Sequence, residues 1–255
     1  MNKETYDVIV IGAGSGLTIS SYAAQLGLSV AVVEEGPFGG TCLNRGCIPS
    51  KMLIHVADVM QTIKDSQKFG IKATVNSVDW KKIQNWVWSE IDTDAANIEE
   101  GNNQTDNITV YKTLGKFVSP KTIQVDDTLI TAEKIFICAG ARPQIPDIVG
   151  LEKVKYLTST EALRMKEQPK KMIVIGGGYI GCELSHFYSS LGTEVIQIYR
   201  GGVLLKHEDE DIAKKFTEVV RKKYNVMLST EILSVNQKGK DITVEVQEKG
   251  KKKSI

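Results

Sequence analysis

The 255-residue sequence predicts an α/β fold in which two parallel-sheet units follow one another. Three observations carry that prediction. The chain repeats itself: an apolar run, a glycine cluster, a helix-like stretch and a second apolar run occur twice. The apolar runs are continuous rather than alternating, as strands buried on both faces are. Each glycine cluster stands where a strand turns directly into a helix, the arrangement of a dinucleotide-binding unit.

The first copy opens on Val8-Ile9-Val10-Ile11. Gly12-Ala13-Gly14-Ser15-Gly16 follows, then a helix-like stretch to Gly27 and a strand ending Val32-Val33-Glu34. The second copy opens on Met172-Ile173-Val174-Ile175 and turns at Gly176-Gly177-Gly178-Tyr179-Ile180-Gly181. Its helix runs to Gly192, and its next strand, Val195 to Ile198, ends at Tyr199. The same offset separates Gly27 from Glu34 and Gly192 from Tyr199. Two Rossmann-like units are therefore expected, over residues 1–148 and 149–255.

Between them lies a polar segment from about Thr74 to Lys112 that contains Trp80, Trp86 and Trp88. Lys81 to Glu100 reads as one helix with the tryptophans as packing residues. Short alternating strands follow at Ile108–Lys112, Lys116–Val118, Thr122–Val125 and Thr128–Thr131, with turns at Pro120-Lys121 and Asp126-Asp127. They read as a small antiparallel β-meander within the first unit. Lys134 to Cys138 is a further strand, and Pro143 and Pro146 mark a linker. Asp241 to Gln247 alternates as a strand, and Lys249–Lys253 reads as a solvated turn around Gly250. Ser254-Ile255 reads as the first step of a partner strand, so a fragment cut inside a hairpin is expected.

Composition excludes several function classes. Thirty-two Lys plus Arg against thirty-one Asp plus Glu leave a net charge of +1, giving no electrostatic reason for a nucleic-acid or membrane partner. No apolar run approaches the roughly 18 residues of a membrane span. Met1-Asn2-Lys3-Glu4 leads straight into a strand, so no signal peptide is expected. Four cysteines are too few for a disulfide scaffold, so a reducing, cytoplasmic setting is expected.

A glycine turn opening a helix lets backbone N–H groups approach a pyrophosphate at the positive helix end. An acid at the end of the second strand can hold ribose hydroxyls. The first unit has Gly12, Gly14 and Glu34 in that order, but Leu17 stands where a third glycine, serving helix–strand packing, is expected. The second unit has all three, Gly176, Gly178 and Gly181, but ends its strand in Tyr199-Arg200. Arg200, with Lys206, suits the 2′-phosphate of NADP(H). An ordinary surface arginine and NAD(H) fit equally well, and the choice stays open.

The sharpest chemistry lies in Gly39-Gly40-Thr41-Cys42-Leu43-Asn44-Arg45-Gly46-Cys47-Ile48-Pro49-Ser50-Lys51. Two cysteines five apart can close a small disulfide loop. Pro49 suits the first turn of a helix running to about Met60, with Cys47 at its amino terminus, where the dipole favours thiolate. Such a small loop gains little from cross-linking entropy, so it is better suited to cycling than to stapling. Zinc would need two more ligands, yet no second cysteine pair exists and His55, His186 and His207 are scattered. A structural disulfide conflicts with the reducing setting, and two inert thiols are the bland alternative. A redox pair is the preferred reading. Cys138 and Cys182 read as small buried fillers, and His55 as a packed or solvated histidine.

Gly39 through Lys51 closely resembles the active-site segment of the pyridine nucleotide–disulfide oxidoreductases with a five-residue cysteine spacing. The resemblance covers essentially all 255 residues, through Ile135-Phe136-Ile137-Cys138-Ala139-Gly140-Ala141-Arg142-Pro143 to the second glycine turn. Within that family the enzymes that oxidise dihydrolipoamide are nearest; the mycothione, glutathione and mercuric reductases share the plan. The resemblance implies FAD in the first unit, a nicotinamide cofactor, NAD(P), in the second, and the cysteines beside the isoalloxazine.

Residue by residue, it implies that Cys42 is the interchange thiol and Cys47 the flavin-facing, charge-transfer thiol. Lys51 corresponds to the lysine near flavin N5 and Glu183 to the acid that pairs with it, the alternative for Glu183 being a solvated helix position. Glu34 would hold the FAD ribose, with Gly40, Thr41 and backbone at Gly115 and Gly140 completing the contacts. Ala139 and Leu17 depart from the usual Thr and Gly. The implied reaction passes electrons between a small-molecule or lipoyl-domain dithiol, the cysteine pair, FAD and NAD(P), in the service of cell redox homeostasis. The family's base is a His paired with a Glu in a carboxyl-terminal interface domain of a homodimer. No such pair stands in this sequence, and central and dimerisation domains are expected to be absent. The contrasting expectation is a catalytically incomplete FAD- and nucleotide-binding module.

Overall fold

A computed structural model describes residues 2–239 and 241–255. Contacts divide the chain into two compact units: residues up to Pro49 with Trp86–Arg142, and Ser50–Asn85 with Pro143–Ile255. The first half carries, in order, β1 (Asn2–Ile11), α1 (Gly16–Gln25), β2 (Val30–Val33), α2 (Gly40–Arg45), α3 (Cys47–Asp65) and α4 (Trp80–Asn103). Strands β3 (Ile108–Tyr111), β4 (Lys116–Ser119), β5 (Thr122–Val125) and β6 (Thr128–Ile137) follow. The boundaries at 49/50 and 85/86 fall inside α3 and α4.

The first unit holds a six-stranded sheet in the order β3-β2-β1-β6-β5-β4. The first four strands are parallel and the last two antiparallel. The continuous apolar runs have the expected cause. Val8, Val10, Val30 and Val32 pack with Ala13 and Ala23 of the α1 side, while Ile9, Ala31 and Val33 pack against Ile123, Val125 and Ile130 on the other. Two expectations for the meander are corrected. Ile108–Tyr111 joins the parallel edge beside β2, and Thr128–Thr131 and Lys134–Ile137 form one strand. Ala132-Glu133 contains no breaker, and β6 finds a partner of matching length in β1, from Asn2↔Thr128 to Ile11↔Ile137.

The second unit continues with α5 (Ser159–Leu163), β7 (Lys171–Ile175), α6 (Tyr179–Ser190), β8 (Glu194–Ile198), α7 (Glu210–Val220) and β9 (Asn225–Met227). Strands β7-β8-β9 make a parallel sheet. β10 (Thr230–Lys238), β11 (Asp241–Glu248) and β12 (Lys251–Ser254) make an antiparallel one. Lys251–Lys253 thus belong to a strand paired with β11, and the turn is confined to Lys249 and Gly250, both at positive φ.

On α4 the buried positions are Trp80, Gln84, Val87, Ile91 and Ala95, a stripe at helical spacing. Trp80 packs on Phe187 and Tyr188 at centroid distances of 5.4 and 5.5 Å and donates to the Met165 carbonyl. Trp86 falls off that stripe and is 43% exposed, contrary to the packing role expected of all three tryptophans. Among the described residues no helix is long and apolar enough to cross a membrane.

Candidate active site

The first glycine turn is built by close backbone approaches. Gly12 sits at φ +104°, and a Cβ there would lie 2.2 Å from the Cys138 carbonyl oxygen. The helix–strand contact expected of a third glycine falls on Gly16 instead of position 17: a Cβ on Gly16 would meet Val10 Cγ1 at 2.6 Å. Leu17 is free to pack against the core of that face. The first turn of α1 has no side-chain cap, whereas α5 is closed by a Thr158/Glu161 capping box. In the first turn of α1 the Leu17 and Thr18 N–H groups donate to the Gly14 and Ser15 carbonyls, so the donors for an anion are those of the glycine turn itself. Glu34, just past β2, accepts from the Ala13 N–H at 2.8 Å and the Gly36 N–H at 2.7 Å. Its carboxylate is thereby fixed beside the turn, each oxygen keeping a lone pair for a ribose hydroxyl.

The cysteine segment is fastened to this turn. Gly39 N–H donates to the Ala13 carbonyl at 2.8 Å. A Cβ on Gly40, which sits at φ +62°, would come within 2.5 Å of Gly14 Cα. Thr41 and Cys42 are exposed on α2, and Cys47, also exposed, is the first residue of α3. That helix is longer at both ends than the expected Pro49–Met60, because Pro49 is tolerated in a first turn where its missing N–H has no intrahelical partner.

Both cysteines are thiols. Cys42 pairs with the Cys47 side chain and faces the backbone N–H groups of Cys47 and Ile48. The Cys47 thiol beside it holds the Cys42 thiol above its usual range, burial adds to this, and the two N–H groups oppose it. The helix-end donors expected to serve Cys47 thus face Cys42. Gly115 packs beside Val33 and Ile123, while Gly140, at φ +70°, has open space where a Cβ would point.

In the second unit Gly181 fits the packing role: a Cβ there would stand 3.1 Å from the Gly176 carbonyl oxygen and 3.2 Å from Gln197 Nε2. Gln197 is fully buried in β8, donates to the Gly176 carbonyl at 2.8 Å and accepts from the Tyr224 hydroxyl at 2.9 Å. Cys182 lies beside Gln197, and burial pushes its thiol up. The Tyr199 ring lies against Gly177 and Gly201, where a Cβ would meet it at 2.4 Å in both cases. Gly178 precedes α6, whose first turn has no side-chain cap. Arg200 and Lys206 are exposed on the loop after β8. Lys51 Nζ and Glu183 Oε1 are 2.5 Å apart. With Lys51 62% exposed, this pair orients more than it stabilises. His55 is exposed, while His186 pairs with Asp58 at 2.9 Å.

Sequence reasoning missed Gly16, Gln197 and Asn44. A glutamine inside the apolar run Val195–Ile198 was the available signal for Gln197, and the unused glycine of Gly12–Gly16 for Gly16. Nothing in the sequence marked Asn44, whose role lies in contacts with a turn several residues away.

Two glycine-turn units on parallel sheets, with two cysteines five residues apart fastened to the first turn, make up the arrangement the comparisons match. The sequence profile of the pyridine nucleotide-disulphide oxidoreductases matches residues 6–255, and the chain belongs to that family. It is 34% identical to the mycothione reductase of Mycobacterium tuberculosis (strain ATCC 25618 / H37Rv) over 96% of its own length and 54% of the relative's. It is 36% identical to the dihydrolipoyl dehydrogenase of Bacillus subtilis (strain 168), over 98% of its length and 54% of the relative's. It is 35% identical to the mercuric reductase of Bacillus cereus, over 98% and 40%. The chain spans about half the length of the curated relatives it matches.

Proposed function

We propose that the chain is the dinucleotide- and dithiol-bearing part of a flavin disulfide oxidoreductase, with dihydrolipoamide or a lipoyl-domain dithiol as first-choice substrate. The observation that carries this reading is the Cys42–Cys47 thiol pair held at α2 and the start of α3, with Gly40 of α2 packed on Gly14 of the glycine turn. The residues fit FAD: Gly12, Gly14 and the start of α1 for pyrophosphate, Glu34 for ribose, with Gly40, Thr41, Gly115 and Gly140 lining the approach. FAD, when bound, would take an electron pair from or give one to the cysteine pair and exchange hydride with a nicotinamide.

The chain's own residues do the sulfur chemistry. In the reducing direction the Cys42 thiolate attacks a disulfide sulfur and expels one substrate thiolate, and Cys47 then attacks Cys42 to release the second and close the Cys42–Cys47 disulfide; in the oxidising direction a substrate thiolate attacks Cys42 and expels Cys47 as thiolate, and the substrate's second thiolate displaces Cys42. Because Cys42 is held as a thiol at neutral pH, its proton needs an acceptor. We assign that acceptor to the further length that the relatives have. Lys51, oriented by Glu183, is proposed to serve the flavin, and Gly176, Gly178 and Gly181 the NAD(P) pyrophosphate.

Residues 1–148 and 149–255 are proposed as the FAD and NAD(P) portions, the full-length protein as a homodimer, and the setting as cytoplasmic. Reductases of a low-molecular-weight disulfide or of mercuric ion are the alternative within the same chemistry. A second reading, an FAD- and nucleotide-binding module with little turnover, fits the same family match.

The test is flavin content, with about one FAD per chain expected on purification; a colourless protein that takes up no added FAD contradicts the reading. For the second unit, Arg200→Glu is expected to weaken NADPH about tenfold or more while leaving NADH within about threefold. Equal losses by fluorescence titration contradict a 2′-phosphate role for Arg200.

A further inference from the structure

We infer that Asn44 is a positioning residue that clamps the cysteine-bearing helix α2 to the loop against the first glycine turn and thereby sets how readily Cys42 and Cys47 join. The inference rests on the redox reading of that pair. Asn44 lies two residues after Cys42 and three before Cys47. Its side chain is turned inward, with only 8% of the residue exposed. Nδ2 donates to the carbonyl oxygens of Phe38 at 2.7 Å, Gly40 at 3.1 Å and Pro37 at 3.3 Å. The loop that supplies the Pro37 and Phe38 carbonyls is fastened in turn to the glycine turn through Gly39 N–H to Ala13, and the first residue of α2, Gly40, packs against Gly14.

A six-residue helix does not hold its shape by itself. Its orientation comes from what its side chains grip. Leu43 supplies apolar contact against Gly39, and Asn44 supplies direction, since its hydrogen bonds to the Pro37 and Phe38 carbonyls, outside the helix, fix the rotation of α2. The cost of using asparagine is visible: Oδ1 is buried with no hydrogen-bond partner. A leucine of similar size would satisfy burial without that orphan atom. The donors are therefore what the position needs. Rotation of α2 determines the separation of the Cys42 sulfur from Cys47 at the start of α3, and so the effective concentration of one thiol at the other.

The test is the equilibrium of the purified full chain with glutathione redox buffers, reading the Cys42–Cys47 disulfide by mass spectrometry after acid quench and alkylation. Asn44→Ala and Asn44→Asp are expected to lower the oxidation equilibrium constant at least tenfold, a potential about 30 mV higher. Asn44→Ser, which restores one donor, is expected to fall between them and wild type. Leu43→Ala damages packing on the same helix without touching the clamp, and is expected to stay within threefold of wild type. Asn44→Asp buries a charge and is at risk of not folding; the Ala and Ser variants carry the test in that event. A folded Asn44→Ala within twofold of wild type overturns the inference, and so does an equal shift in Leu43→Ala. A wild-type chain that forms no Cys42–Cys47 disulfide at any buffer ratio sinks the redox reading itself, and the inference with it.

Discussion

Cys47→Ser is expected to abolish the long-wavelength absorbance that a thiolate gives beside an oxidised flavin, while leaving FAD content at the wild-type level. The two halves of that expectation come from different elements. The absorbance needs a sulfur anion, and a serine hydroxyl at the same place does not ionise near neutral pH. FAD retention is assigned to Gly12, Gly14 and the uncapped start of α1 together with Glu34, none of which the substitution touches. Serine is also well tolerated at a helix start, so α3 keeps its first turn. The measurement is the visible spectrum after reduction by two electrons, for wild type and variant side by side. An undiminished band in Cys47→Ser would show that Cys47 is not the thiol facing the flavin.

Gly12→Ala is expected to be the most damaging single-methyl change in the first unit. Its φ of +104° is costly for any side chain, about 1–3 kcal/mol. Beyond that, the new Cβ would stand 2.2 Å from the Cys138 carbonyl oxygen, so β1 and the end of β6 must separate. The combined loss is expected at about 3–5 kcal/mol, enough to remove much of a domain's net stability and its FAD. Gly27→Ala is the matched control. Gly27 also has positive φ, at +79°, but nothing lies within 4 Å of a Cβ there, so only the backbone cost of about 1 kcal/mol applies. Urea titrations of the two variants decide it: equal midpoints would show that the close approach at Gly12 carries no weight.

What was legible in the sequence was whatever periodicity and composition write directly. Val8–Ile11 and Val30–Val33 announce strands buried on both faces, and the structure covers both faces. The glycine turns and the Cys42–Cys47 spacing were equally plain. Pairing partners were not. Ile108–Tyr111 alternates like a meander strand, yet it sits beside β2, because edge position in a sheet depends on what remains unpaired rather than on the strand's own residues. The join at Ala132-Glu133 was hidden for the same reason.

Within the candidate site, residue types were legible and their mutual geometry was not. The sequence placed the helix-end donors at Cys47, whereas the bend at Gly46 brings Cys42 to face them. Leu17 looked like a defect only because the contact it was expected to make had moved to Gly16. Asn44 and Gln197 act through carbonyls of turns, and a carbonyl leaves no mark on the sequence.

The central claim, that the Cys42–Cys47 pair exchanges electrons with a flavin and a nicotinamide, is tested most directly by anaerobic titration. The purified chain is titrated with NADPH and then NADH while the visible spectrum is followed. The account predicts a bound yellow flavin that develops a long-wavelength band at two electrons per chain, with two new titratable thiols at residues 42 and 47. A flavin that bleaches with no such band and no new thiols at those positions would contradict it.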